Sequence, residues 1–444
     1  MSQTLRQGSQ SSVAAIARRA RTASRLLARL SFAERNEVLT VAAKAIEDNS
    51  GTILAANALD CKAAEPDVAN DKMSAAMFAR LRVTDKGIHE MSARVREVAG
   101  LPDPLGRRLT ATELDDGLVL YRESCPLGVV GIVFESRPDV VPQVVSLALK
   151  SANSVILKGG SEAAHTNEAL VAIWLEALVK FPDVPPDAVN LLQTRADVLE
   201  LLELSEDVDV IIPRGSRTLV EFVTKHSRIP VLGHGEGICH VYVDSAADIK
   251  KALDVTYDAK VQYPAVCNAA ETLLIHEKIA GKFLPLIISK LKDAGVEIRG
   301  CNKTIAISGS GDIKAATEED WATEYGDLIL SVRIVANLQE AIDHINQFGS
   351  RHTDAIVTED AEAARKFMNE VDAAGVYQNA STRFADGYRY GFGAELGIST
   401  SKIHARGPMG LEGLTTYKYK LYGNGHTVGE YARGEKKFKH RSID

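Results

Sequence analysis

The stretch Pro126-Leu127-Gly128-Val129-Val130-Gly131-Ile132-Val133-Phe134-Glu135-Ser136-Arg137-Pro138 decides how the chain is read. From Gly128 to Phe134 it is an unbroken run of apolar and glycine residues with no polar alternation. A run of that kind is buried on both faces, as strands of parallel sheets are. Glu-Ser-Arg-Pro then ends it abruptly. The pattern repeats downstream, with helices expected over 139–151, 163–181, 196–204 and 216–226. Strands are expected over 154–158, 188–193, 208–213 and 229–232. Regular alternation of strand and helix means βαβ units and a mostly parallel sheet.

Outward from this stretch, residues 11 to about 100 have helical apolar spacing, and 101–106, with two prolines, break it. Before Glu34 the chain has no acidic residue but carries Arg6, Arg18, Arg19, Arg21, Arg25 and Arg29, a composition shared with organellar transit peptides. Val13, Ile16, Ala20, Ala23, Leu27 and Leu30 nevertheless form one helical face, and Ser31 and Glu34 have capping-box spacing. An ordinary amphipathic helix is therefore the expectation. After residue 232 a second alternating region begins. Strands are expected over 240–244, 271–276, 296–299, 328–335 and 354–358, and helices over 246–262, 277–294, 338–348 and 361–371. Two short alternating ribbons, 117–122 and 415–422, stand outside both regions. In the second, Tyr417, Tyr419 and Leu421 share one face. Neither ribbon is stable alone in water, so they are expected to pair with each other and dock on another subunit.

The chain has 444 residues, 45% of them hydrophobic and 25% charged, which suits a globular protein of two or three domains. A net charge of −7 argues against nucleic acid as partner. Five scattered cysteines without C-x-x-C fit a reducing compartment and no disulfide framework. The longest apolar runs fall short of a membrane span.

Chemistry concentrates at few positions. Tyr263-Pro264-Ala265-Val266-Cys267-Asn268-Ala269-Ala270 sets one thiol among small uncharged neighbours after a helix-ending proline. A thiol nucleophile needs that room for a substrate carbonyl, and backbone N–H groups close by. Ligands of parallel sheets sit at the carboxyl ends of strands. Lys158-Gly159-Gly160-Ser161-Glu162 and Arg214-Gly215-Ser216-Arg217 each end a strand and open a helix, as a phosphate-bearing nucleotide requires. Glu135 and Arg137 stand at the mouth of the first strand, where arginine suits a phosphate or carboxylate. No G-x-G-x-x-G follows a strand and no P-loop occurs. His234, Cys239 and His240, or His352 with Asp354, match no metal-ligand spacing, so no metal is expected.

Together with Asn379-Ala380-Ser381-Thr382-Arg383-Phe384 and the segment from Gly397-Ile398-Ser399-Thr400 through His404-Ala405-Arg406-Gly407-Pro408 to Gly410-Leu411-Glu412-Gly413-Leu414, these motifs resemble the gamma-glutamyl phosphate reductases, within the aldehyde dehydrogenase superfamily. The resemblance runs from the first helix to about residue 425. It implies an aldehyde dehydrogenase-like α/β fold. Residues 1–112 and 126–235 would form a Rossmann-like NADP-binding domain, and 236–395 an α/β catalytic domain. Residues 113–125 and 412–444 would form a small β oligomerisation element and tail. It also implies reduction of L-glutamyl 5-phosphate to L-glutamate 5-semialdehyde by NADPH, although the residues alone leave NADPH and NADH open. Cys267 falls on the nucleophile, and Lys158, Gly215, Ser216 and Glu324 fall on cofactor-binding positions. Arg137, Asn268, Arg383 and Arg406 become candidates for the substrate. Leu232 falls where hydrolytic relatives carry the glutamate that activates water. A cytoplasmic homo-oligomer (dimer or tetramer), with a glutamate kinase as candidate partner and no nucleic acid or membrane, completes the expectation.

Overall fold

The computed structural model describes residues 12–70, 72–135, 137–233, 235–309 and 311–443, so Arg6, Ser136 and His234 lie outside the described residues. The chain folds as two units. One runs up to Leu232 and includes Gly393–Leu396 and Gly410 onward; the other comprises Gly233–Phe392 and Gly397–Met409.

Among the described residues of the first unit, five helices between Val13 and Gly100 precede the first strand. The first helix buries Val13, Ala20, Ala23 and Leu27 of the expected face together with Ala17 and Ser24, while Ile16 and Leu30 are half-buried. Ser31 and Glu34 form the capping box, the Ser31 N–H donating to the Glu34 carboxylate at 2.6 Å. Helix Val140–Lys150 follows the quoted strand. A hairpin of β1 (Arg108–Asp115) and β2 (Leu118–Pro126) leads into β3 (Val129–Phe134), all six of whose residues are buried. β4 (Ser154–Lys158), β5 (Val189–Leu191) and β6 (Val210–Arg214) complete a parallel sheet of order β5-β4-β3-β6. The chain builds outward through β4 and β5, then crosses to β6 on the other side of β3. That reversal is the switch point at which such sheets bind ligands. The expected strand at 229–232 is reduced to a single bridge between Ile211 and Val231. Pro230 has no N–H, so the ladder cannot extend through it.

The second unit holds a seven-stranded, all-parallel sheet of order β10-β9-β11-β8-β7-β12-β13. Its strands are β7 (Cys239–Val243), β8 (Ala270–His276), β9 (Glu297–Gly300), β10 (Lys314–Ala315), β11 (Ile329–Val335), β12 (Thr353–Val357) and β13 (Gly375–Gln378). Helix Glu277–Asp293 packs Phe283, Leu284, Ile287 and Leu291 against Val241, Leu273 and Val332 of the sheet. A two-stranded patch joins β14 (Ile398–Ser399) to β15 (Gly407–Pro408).

The two ribbons pair as expected, and β16 (Thr415–Tyr422) lies antiparallel along the whole of β2. The element is larger than the sequence suggested. β1 joins it, and β17 (Arg441–Ser442) pairs with β1 to give the order β16-β2-β1-β17.

Candidate active site

Cys267 lies in the loop between helix Ile249–Val261 and β8, at the amino-terminal edge of the second unit's sheet, and is half-buried. Two contacts fix its peptide from the core side. The Cys239 thiol donates to the Cys267 carbonyl oxygen at 3.3 Å. Complete burial pushes the Cys239 thiol pKa well up, so it stays protonated and can donate. Gly237 packs on the same carbonyl, and a Cβ there would lie 1.9 Å from it, so only glycine fits. In a trans peptide the N–H points opposite to the C=O. Holding the Cys267 carbonyl inward therefore turns the Asn268 N–H outward.

The residue after Cys267 is clamped through its carbonyl and its side chain. The Asn268 carbonyl accepts from Thr382 Oγ1 at 2.7 Å, and its Nδ2 donates to the Ala385 carbonyl at 2.8 Å. These bonds bracket Arg383, whose Nε donates to Gln262 Oε1 at 2.9 Å. Burial and the neighbouring Arg389 lower the Arg383 pKa, and its charge is felt at Cys267. The structure thus brings Cys267, Asn268 and Arg383 together. Arg406 is engaged elsewhere in the unit, where Asp372 holds it at 2.9 Å beside Lys402 at 2.6 Å and Arg351 at 3.7 Å.

Beneath the loop sits an ion pair with no exposed side-chain surface. Lys260 Nζ donates to Glu271 Oε2 at 2.6 Å. Burial pushes Glu271 up to about 7 in spite of Lys260, and pulls Lys260 down. The other oxygen of Glu271 accepts the Gly326 N–H at 3.2 Å. The turn bearing Gly326 also carries Glu324, whose carboxylate is raised by burial and by Glu236 against the pull of the nearby Gly237 N–H. Lys260, Glu271, Cys239 and Gly237 were not singled out for this site from the sequence. For Gly237 a signal existed, three glycines in Gly233-His234-Gly235-Glu236-Gly237 just before a buried strand. For the ion pair none did.

In the first unit the strand ends meet as the register dictates. Val133 lies opposite Lys158, and Phe134 opposite Arg214. Glu135, Lys158 and Gly215 are thereby gathered at the carboxyl edge beside the switch point. Lys158 is only 8% exposed, and burial lowers its pKa against the pull of Glu162 and Asp197. Ser216 caps helix Arg217–His226. Its N–H donates to Glu135 Oε2 at 2.7 Å and its hydroxyl to Glu135 Oε1 at 3.3 Å. A Cβ at Gly215 would lie 2.3 Å from the same carboxylate. A buried lysine, a glycine turn and a helix N-terminus fit a diphosphate-bearing nucleotide, but here the Ser216 N–H is already engaged by an anion. Arg137 is half-exposed and pairs with Asp139 at 3.2 Å.

Two of the histidines considered for a metal, His240 and His352, have other partners. His240 pairs with Asp354 at 2.9 Å, and His352 lies 3.6 Å from Cys239. Among the described residues no helix is long and apolar enough to cross a membrane.

Residues 2–299 match the model of the aldehyde dehydrogenase family. The chain is 53% identical over 431 residues to a gamma-glutamyl phosphate reductase from Haloquadratum walsbyi, covering 96% of this chain and 94% of the relative. It is 52% identical over 426 residues to one from a Synechococcus strain, covering 95% and 92%. The crystal structure of a gamma-glutamyl phosphate reductase from Thermotoga maritima superposes with a TM-score of 0.90 at 43% identity, covering 94% of this chain and 100% of that one. With its Cys267 loop and switch-point cluster on an aldehyde dehydrogenase-like fold, the chain belongs to the gamma-glutamyl phosphate reductase family.

Proposed function

We propose that the chain reduces L-glutamyl 5-phosphate to L-glutamate 5-semialdehyde with release of phosphate, using NADPH, as the second step of proline biosynthesis. The observation that carries this reading is Cys267, a half-buried thiol on a loop whose peptide is fixed by Cys239 and Gly237. It lies in a chain more than half identical, over nearly its full length, to named gamma-glutamyl phosphate reductases.

The Cys267 thiolate adds to the acyl carbonyl, and the oxygen that gains charge rests on the backbone N–H groups of Cys267 and Asn268. Collapse of the adduct expels phosphate and leaves a thioester on Cys267. A bound reduced nicotinamide supplies the hydride that reduces this thioester. The resulting thiohemiacetal oxyanion expels the Cys267 thiolate and frees the aldehyde. Arg383 binds an anionic group of the substrate beside the sulfur, and Asn268 holds the Arg383 turn in place. Arg406 and Arg137 are further anion-binding candidates, each already balanced by an aspartate. Lys158, Gly215 and Ser216 hold the cofactor in the first unit. The Ser216 N–H, held by Glu135 at 2.7 Å, would serve the cofactor's diphosphate if Glu135 gave it up, and Glu324 would serve the nicotinamide ribose. The protein works in the cytoplasm as a homo-oligomer whose β16–β2 ribbon docks on a second copy, and a glutamate kinase supplies its labile substrate.

The test runs the reaction backwards with glutamate 5-semialdehyde and NADP⁺, following NADPH absorbance with and without inorganic phosphate. Turnover that requires phosphate supports the reading. Turnover equally fast without it would mean that water resolves the thioester, and an aldehyde-oxidising hydrolytic enzyme would replace it.

A further inference from the structure

Two of the contacts described above lie on one carboxylate. Glu271 gives one oxygen to Lys260, at the end of the helix before the Cys267 loop, and the other to Gly326, in the turn that carries Glu324. We propose that Glu271 is a positioning residue that locks the nucleophile loop and the Glu324 turn to each other from inside the sheet. The proposal rests on the reductase reading given above.

The geometry makes a closed circuit. Lys260 precedes the Cys267 loop and Glu271 follows it, so their 2.6 Å contact closes the base of the loop. From the second oxygen the path runs through Gly326 to Glu324, whose carboxylate feels the pull of the nearby Gly237 N–H. Gly237 in turn packs on the Cys267 backbone. The Lys260 and Gly326 links are hydrogen bonds, the approach of Gly237 to Cys267 leaves no room to spare, and the Lys260–Glu271 pair has no solvent exposure. Asp327 and Glu324 are further titratable groups whose charge reaches the pair, and the protonated Cys239 thiol lies near it.

A clasp needed only for stability would not take this form. Two apolar side chains of similar volume hold a helix on a strand as well as a buried ion pair does, and often better. What apolar residues cannot do is direct two donors from different segments onto one group. The pair therefore sets geometry at Cys267 and Glu324 rather than adding to cohesion.

The experiment compares wild type with the double variant K260M/E271L, which removes both charges and the acceptor for Gly326. Three quantities are read: the melting temperature, kcat and KM in the phosphate-dependent reverse assay, and the rate at which iodoacetamide alkylates Cys267. The last is followed on the Cys267 peptide by mass spectrometry, without cofactor or substrate. The double variant should melt within about 5 °C of wild type. Its kcat should fall at least about tenfold with the semialdehyde KM little changed, and its alkylation rate should shift several-fold. Wild-type kcat and alkylation rate in the folded double variant would overturn the proposal and leave the pair a structural one. If that variant does not fold, Glu271→Gln decides. One amide oxygen cannot serve both donors, so a folded Glu271→Gln protein with wild-type kcat and alkylation rate overturns it equally. The alkylation readout needs no turnover, so it stands apart from failure of the reductase reading, which would appear as wild-type protein lacking phosphate-dependent activity.

Discussion

The two parallel sheets use opposite edges. In the first unit Glu135, Lys158 and Gly215 follow the ends of β3, β4 and β6, at the carboxyl edge. In the second, Cys267 precedes β8, Glu324 precedes β11 and His352 precedes β12, at the amino edge. The physics of the two edges differs. Beyond a carboxyl edge the next helix begins, and its free N–H groups and positive dipole end attract anions without help from side chains. Helices end at an amino edge, so carbonyls and negative dipole ends face it. An anionic substrate bound there needs donors from loop backbone and from cations. The amino edge here has both, in the Cys267–Asn268 peptide held by Cys239 and in Arg383 beside it. A nucleotide can be bound by what a βαβ unit offers, whereas the chemistry of a thiol demanded a loop built for it.

This contrast can be broken experimentally, beginning with the largest effect. Cys267→Ala should reduce phosphate-dependent turnover at least about a thousandfold while leaving NADPH affinity, measured by fluorescence titration, within about twofold of wild type. Activity near wild type would remove the amino edge from the chemistry altogether. Lys260→Met leaves Glu271 buried without its cation, and urea titration should show a loss of about 3–5 kcal/mol. The loss should deepen with pH. Glu271 already titrates near 7 instead of 4.5, so the folded state keeps its proton while the unfolded state gives it up, and stability falls as pH rises across that window. Without Lys260 the window extends upward, so the variant should be markedly more stable at pH 5 than at pH 8. Arg383→Gln should lower kcat/KM for the semialdehyde about ten- to a hundredfold, the worth of one or two charge-assisted hydrogen bonds. Arg406→Gln should cost less, because Asp372 already neutralises that side chain. The smallest effect belongs to the carboxyl edge. Glu135→Gln should tighten NADPH binding about two- to fivefold by freeing the Ser216 N–H from a charge that competes with the diphosphate. It should leave Cys267 alkylation unchanged. Weaker binding would mean that Glu135 contacts the cofactor directly.

How much of this was legible in the sequence depended on how one-sided each signal was. β3 was plain because all its residues are buried and read as one apolar run. β1, Arg-Leu-Thr-Ala-Thr-Glu-Leu-Asp, buries only Ala111 and so carries no period to detect. The run at 229–232 looked like a strand by composition, and Pro230 limited it to one bridge. Within the site, Cys267 was legible from its small uncharged neighbours, and Arg383 and Asn268 from the family resemblance. The ion pair was not. A lysine late in a helix reads as a solvated charge, and only the fold shows that it and Glu271 meet out of water.

One further consequence lies in the four-stranded ribbon, where β17 covers part of the outer edge of β1 while, among the described residues, the outer edge of β16 has no partner strand, and Tyr417, Tyr419 and Tyr422 of β16 are exposed. A ribbon with two open edges is a bifunctional monomer, in the polymer chemist's sense, and can grow into a filament. β17, anchored by Arg441 on Glu113 and by the Ile443 N–H on the Ala111 carbonyl, acts as a chain stopper on one side. In those terms a unit with one open edge can only pair, whereas a unit with two can grow.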